Sequence, residues 1–214
     1  MRSVPLLFAS ALLIFSSCKK PDYQKIFHDP TLYSRTVYEL NSVVMGNNFS
    51  PPVASRNYAY ASVAGYEVIA AGSAGKYKSL VGQLNGFTKG ATPLADEQID
   101  YPYAALLAFC KVGEAVTFPE GSLKYYTESL HQLAVTHCMP EPMITGSEKY
   151  AKEVAASIMA WSKKDHYVQT RSASKFAIKD SAGTWVPTPP GYFEAVEPQW
   201  GEIRTMVMSD AKEY

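Results

Sequence analysis

Three cysteines in 214 residues exclude a disulfide-built scaffold, and no cysteine spacing matches a thiolate metal site. Neither sign of charge is in excess. Twenty Lys+Arg face twenty Asp+Glu, so there is no basic surplus or clustered basic run to serve as a nucleic-acid footprint. The one long apolar run, Val4 to Phe15, is broken by Pro5 and Ser10 and is too short for a typical membrane span of about 20 residues. The short motifs of common chemistries are also missing: there is no HExxH, nucleophile elbow, P-loop or dinucleotide fingerprint. The four histidines (His28, His131, His137 and His166) form no metal pattern, and His131 and His137, six apart, fall on different faces of a helix. Asp165 and His166 are adjacent, and adjacent side chains on a helix point apart. No internal repeat, low-complexity tract or linker interrupts the chain. No catalytic, cofactor-binding or metal-binding residue is therefore assigned, and no nucleic-acid partner is expected.

What is present is enough for a packed core: 47% hydrophobic residues and only 19% charged. Fifteen tyrosines stand out. Each offers apolar area with a polar tip, which suits wet helix interfaces and sugar-binding surfaces alike.

Residues 1–17 read as an export signal, with Arg2 as the positive start and the Val4–Phe15 run behind it. The run ends in Phe15-Ser16-Ser17-Cys18, small residues before a cysteine, which resembles a bacterial lipobox. The expectation is a lipoprotein signal peptide with lipid on Cys18, a membrane partner through that lipid, and a periplasmic or outer-membrane-attached location. A plain cleaved signal and an uncleaved anchor are the alternatives. Acyl chains on one residue would hold the protein firmly to a membrane surface. Residues 18–28 read as a polar tether. For Cys110 and Cys138, two free buried thiols are expected, with a disulfide as the alternative.

From Asp29 onward the chain reads as helical almost throughout. Asp29 before Pro30 caps a helix to Met45, with Leu32, Val37, Leu40, Val43 and Val44 as its apolar stripe. The organising stretch is 49–71. Ser50 is expected to cap its helix with its hydroxyl, and Pro51 and Pro52 suit the first turn. Ala54, Tyr58, Ala61, Gly65 and Val68 share one face, and Arg56, Tyr60, Val63 and Glu67 form a neighbouring stripe. Arg56 and Glu67 lie three turns apart, so each needs a partner on another element. Further helices are expected near Leu80–Phe87, over 96–116, from a Ser122 cap to His137 with Pro140 and Pro142 closing it, and from Ser147 through Tyr150, Val154, Ile158 and Trp161. Asp96, Glu97 and Asp100 complement a helix start. An irregular loop spans 167–190, with a short hairpin near Asp180–Gly183, and residues 202–214 read as the approach to another helix. The predicted fold is all-α: a helical bundle, incomplete, with one elaborated loop.

Several stretches add a resemblance. The segments SPPVASRNYAYAS (50–62), WVPTPPGY (185–192) and EPQWGEIR (197–204) carry it, supported by Tyr66-Glu67, by 79–85 and by Trp161 with Asp165. Together they resemble the N-terminal half of exported vanadium-dependent haloperoxidase-like proteins of the type 2 phosphatidic acid phosphatase superfamily. The resemblance covers nearly everything after the tether. It implies an all-α bundle that binds phosphate or vanadate through Lys-x6-Arg-Pro, Pro-Ser-Gly-His and Ser-Arg-x5-His segments. In such a site cations neutralise the oxyanion, amides and serine donate to it, and histidines act as nucleophile or acid–base. None of the three is present here: Lys164 to Arg171 is followed by Ser172 instead of proline, and Ser55-Arg56 leads to Ser62 where histidine is required. The expectation is thus residues 29–214 as an N-terminal helical part, with its catalytic C-terminal half absent and as a missing partner. Vanadate would belong to the intact protein, and Arg56, Tyr60 and Glu67 would buttress the bundle. The intact enzyme would hydrolyse phosphate esters or oxidise halides with vanadate; this part alone would be inactive. The alternatives are a lipid-anchored glycan- or peptide-binding module, favoured by aromatics lining an exposed groove, and one chain of a split enzyme.

Overall fold

Ten buried residues on one helix set the architecture of the computed structural model, which describes residues 22–179, 181–210 and 213. That helix, α4 (Tyr101–Val116), is buried from Tyr103 to Cys110 without a break and packs against α2, α3, α5 and α6. A helix apolar on nearly every side has to sit in the middle of a bundle. Around it lie α1 (Tyr23–Phe27), α2 (Pro30–Gly46), α3 (Pro51–Gly72), α5 (Lys124–Thr136), α6 (Glu141–Ser162) and the short α7 (Tyr167–Arg171). One 3₁₀ turn follows at Trp200–Glu202, and no strand occurs among the described residues. The fold is all-α, as the periodicity predicts. The leader, Cys18 and Asp180 lie outside the described residues.

The helix boundaries follow local chemistry in some places and tertiary demand in others. Asp29 caps α2, its carboxylate accepting from the Thr31 amide at 2.8 Å, and hydrogen bonds from the Thr31 hydroxyl and amide hold its carboxyl below the usual range. Asp100 caps α4 in the same way, accepting from the Tyr103 amide at 2.9 Å. The predicted helix over 96–116 is therefore shorter, because Asp96 and Glu97 precede the cap and Glu97 instead pairs with Lys149 on α6. Ser50 does not cap α3 with its side chain, and Ser122 does not cap α5, which begins at Lys124. Pro140 and Pro142 open α6 where a helix ending was expected, so Ser147 lies inside that helix. Its hydroxyl accepts from the buried Asp100 amide at 2.9 Å. Residues 80–87 form successive turns instead of a helix. Residues 167–171 of the expected loop are helical, the irregular path continues to 199, and Ser181–Thr184 closes a turn without paired strands. No helix beyond Glu202 is present among the described residues. Within the stretch 18–28, α1 begins at Tyr23, and Phe27 is buried against Tyr103 with ring centroids 4.8 Å apart.

Two glycines permit close approach of elements. A Cβ at Gly72 would land on the Tyr101 ring, and one at Gly146 would land on the Gln98 carbonyl, which is backbone and cannot swing aside. The cysteines are both free, but only Cys110 is buried. Cys138 is exposed at φ 60° just past α5, so the expectation of two buried thiols holds for one of them. Burial pushes the Cys110 thiol up to about 12.

Two tests follow from this packing. Gly146→Ala is expected to cost about 1–3 kcal/mol through overpacking, although alanine favours a helix, whereas Gly46→Ala, with open space around it, should cost nothing. Urea denaturation of both variants decides this; equal midpoints would refute the close approach at Gly146. In native protein carrying only Cys110 and Cys138, a thiol reagent at pH 8 should label Cys138 within minutes and Cys110 only after unfolding.

Candidate functional site

Asp165 sits just past the C-terminus of α6, 1% exposed, where its carboxylate gathers three elements. The Arg56 Nε of α3 donates to Oδ2 at 2.6 Å, and the Tyr60 hydroxyl, one turn further along α3, donates to the same oxygen at 2.9 Å. The Tyr167 amide at the start of α7 donates to Oδ1 at 2.9 Å. The backbone carbonyl of Asp165 accepts from the Arg204 amide at 3.0 Å. Every polar face of this residue is used, as a buried carboxylate requires.

The neighbouring rings and guanidinium groups stack. Arg56 lies between the rings of Tyr60 and Tyr167, at 4.8 Å and 4.2 Å, and Arg171 covers the Tyr167 ring at 4.6 Å. Arg204 donates to the Tyr60 hydroxyl at 2.8 Å and to the Trp161 carbonyl at 3.2 Å, and it stacks over the Trp161 ring at 4.7 Å. Burial, and then the neighbouring Asp165 charge, raise the Tyr60 hydroxyl well above the usual tyrosine range, so it is a fixed donor and not a base. At the outer end, Arg171 pairs with Glu197 through both terminal nitrogens, and Ser50 donates to Glu197 at 2.9 Å. Ser50 leaves its own helix uncapped, and Pro51 and Pro52 in the first turn have no amide to donate to its oxygen. The Arg171 hydrogen bonds hold the Glu197 carboxyl below its usual range against the opposing effect of burial.

Two openings border this stack. A cleft of about 330 Å³ is lined by Arg56, Tyr60, Asp165 and Arg204 with Trp200, Ile203, Met206 and Met208 around it. A groove of about 460 Å³ lies in the irregular segment, with Phe176, Trp185 and Tyr192 among its walls and Arg171 and Glu197 at its edge.

The residues singled out in the sequence separate cleanly. Arg56 and Tyr60 meet, while Glu67, three turns on, accepts instead from the Ser79 hydroxyl and the Leu80 amide, each at 2.6 Å. Both members of the stripe thus find partners elsewhere, as their spacing demands. His166 is exposed at φ 72° and points away from Asp165 toward Glu202, 3.8 Å away. His131 and His137 do not converge: one engages Glu148 at 2.7 Å, the other the Leu133 carbonyl at 2.9 Å. Neither partial motif assembles. Lys164 and Ser62 are exposed, Arg171 is engaged by Glu197, and Arg56 by Asp165. Sequence reasoning missed Arg204 and Glu197 as individual partners, although both lie inside the EPQWGEIR stretch.

No protein-family model matches the chain, and no curated protein does. Among solved structures, the chain is similar to the crystal structure described as the first bacterial vanadium-dependent iodoperoxidase, at TM-score 0.78 and 35% identity. The match covers 85% of this chain and 43% of that one, so the chain spans under half the length of that protein. Over this span it has a vanadium haloperoxidase-like all-α fold.

Asp165→Asn should leave the Arg56 guanidinium buried without its counter-charge and cost about 3–5 kcal/mol. Tyr60→Phe, which removes one hydroxyl bridging Asp165 and Arg204, should cost about 1–3 kcal/mol. Arg171→Gln, on the more exposed Glu197 pair, should cost about 1 kcal/mol or less. Equilibrium unfolding that ranks Arg171→Gln above Asp165→Asn would refute this ordering.

Proposed function

We propose that this chain is the N-terminal helical scaffold of a lipid-anchored enzyme of the phosphatase and vanadium haloperoxidase type. Intact, that enzyme would carry out phosphate-ester hydrolysis or vanadate-dependent halide oxidation. The observation that carries the reading is the extent of the match: 35% identity over 85% of this chain, against only 43% of the iodoperoxidase. More than half of that protein has no counterpart in the match. The reacting segments implied by the sequence resemblance, with their histidines, are likewise absent from these 214 residues.

The cationic cleft supports a scaffold role over a reacting one. Among the described residues no histidine or lysine lines it, so the histidines that the resemblance implies as nucleophile or acid–base have no counterpart there. Those residues belong to the complementary half. What this chain contributes is rigidity at the junction of α3, α6 and residues 200–206, together with exposed apolar side chains at Tyr192, Phe193 and Val196. Apolar surface of this kind marks an interaction face, and a catalytic half would cover it. Lipid on Cys18 would tether the assembly to a membrane, with α1 starting at Tyr23, five residues after Cys18 in the sequence.

The aromatic groove favours a second reading, a glycan- or peptide-binding module, because Phe176 and Trp185 meet edge-on at 5.7 Å in an open wall. Against it, the largest buried side chains are Tyr60, Tyr103 and Tyr150, so much of the tyrosine content serves the core.

The two readings part in one experiment. The purified chain is assayed for iodide oxidation with vanadate and peroxide, and for aryl phosphate hydrolysis, alone and with a polypeptide carrying the three oxyanion segments. The scaffold reading expects no turnover alone and at least a 100-fold gain on complementation. Turnover by the chain alone would overturn it. No gain together with saturable glycan or peptide binding, lost in Trp185→Ala, would put the binding module in its place.

A further inference from the structure

We propose that the cleft at Arg56 and Arg204 is a binding site for one small oxyanion, a carboxylate or phosphate group held by the Arg56 guanidinium. The inference stands apart from the scaffold reading, since it rests on the charge and geometry of described residues only.

The first ground is charge balance. Two guanidinium groups meet at this corner and one carboxylate, Asp165, answers them. Arg204 has only neutral partners among the described residues: the Tyr60 hydroxyl, the Trp161 carbonyl and the Trp161 ring. The corner therefore holds an excess positive charge in a setting where Arg56 is 9% and Asp165 1% exposed. Arg56 and Asp165 answer each other, and the excess falls on the half-buried Arg204, whose charge an anion in the cleft would balance.

The second ground is the donor set. Arg56 spends its Nε on Asp165, and its two terminal nitrogens have no hydrogen-bond partner among the described residues, while the side chain lines the cleft. Hydroxyls nearby are already committed: Ser55 donates to the Pro52 carbonyl at 2.6 Å and Thr205 to the Met208 carbonyl. The free donors are thus a guanidinium fork, whose parallel N–H bonds match two oxygens of one oxyanion. The Tyr60 and Tyr167 rings on either side fix the plane of that fork before a ligand arrives. Little rotamer entropy remains to be lost on binding.

The third ground is the surroundings. About 330 Å³ is room for a small group. Trp200, Ile203, Met206 and Met208 line it with apolar surface, which strengthens any charge pair formed inside. Among the described residues, the Ser55, Tyr60 and Thr205 hydroxyls that line it already donate to protein acceptors, and the proposed role is binding.

The test uses inorganic phosphate and acetate as probes at constant ionic strength, with sodium chloride as the reference. Either oxyanion at 10–20 mM is expected to raise Tm by about 3 °C in a saturable way. Arg56→Lys keeps a cation beside Asp165 but loses the fork and should weaken binding at least fivefold; Arg204→Gln, which removes the excess charge, should weaken it as well. Selenate soaked into crystals should give an anomalous peak within hydrogen-bond distance of Arg56, a readout independent of variant folding. An equal Tm rise in chloride, unchanged affinity in Arg56→Lys, or selenate bound only elsewhere would each overturn the proposal. Competition separates the sources: a complementary polypeptide that displaces phosphate supplies the oxyanion as a side chain, and one that leaves phosphate bound assigns the site to a free small molecule.

Discussion

The buried carboxylate of Asp165 is the constraint on which the rest of this structure depends. Removing a carboxylate and a guanidinium from water costs several kcal/mol per ion, and their attraction offsets that only when the geometry is good and the remaining hydrogen bonds are made. Here they are made: Arg56, Tyr60 and the Tyr167 amide all donate to the carboxylate. The benefit is direction more than net energy. Apolar contact among α3, α4 and α6 would tolerate sliding, because hydrophobic burial is non-directional. A carboxylate with three fixed donors does not, and so it sets where the chain leaves α6 and how α7 and Arg204 return to α3.

From that point the order is passed outward by stacking. Trp161 packs on Phe87 and edge-on against Tyr60, each at 4.9 Å, and Arg56, Tyr167 and Arg171 continue the series to Glu197 and Ser50. A second tie runs through Asn85, whose side chain donates to the Thr205 and Met208 carbonyls and whose carbonyl accepts from the Trp161 indole at 2.9 Å. The irregular segments thus lack a core of their own, yet both are pinned to the same corner of the bundle. Orphan polar atoms are few. The amide of Asn57 is fully buried on α3 with neither atom paired among the described residues, and Arg204 Nε, the Ser122 hydroxyl and one Glu97 oxygen are also unpaired.

How much of this was legible depended on the range of the interaction. Stripes on α2, α3 and α6 were readable because helical periodicity is local, and Leu40, Val44, Ala61, Val68, Tyr150, Val154 and Ile158 are indeed buried. The Asp29 cap was readable for the same reason: its donor lies two residues away. The expected Ser50 cap is not made, because the prolines that follow it have no amide to donate, and its hydroxyl instead finds Glu197, 147 residues further on. The prolines at 140 and 142 suit a helix ending as well as a beginning, a choice that residue type alone leaves open, and the backbone uses them as a beginning. Most informative was the spacing of Arg56 and Glu67. It required partners on other elements without naming them, and Asp165 and the Ser79–Leu80 turn are those partners.

Had this corner been built from apolar side chains, the bundle would be no less stable; buried ion pairs replaced by well-packed hydrophobic groups are often neutral or stabilising. The polar choice therefore calls for another account. One carboxylate set against two guanidinium groups leaves the corner electrically unfinished, and the stacked rings hold Arg56 where its terminal nitrogens remain unspent. A core serving stability alone would have matched those charges or removed them. Beside it the irregular segment presents Tyr192 and Phe193 to solvent, at 63% and 80% exposure, whereas Tyr60, Tyr103 and Tyr150 are fully buried. A fixed cationic corner and an uncovered aromatic face are adjacent features of one surface, through Glu197, which binds the stack and edges the groove. The physical reading is that the Asp165 corner fixes the geometry of one surface that carries both a cationic cleft and exposed aromatic side chains.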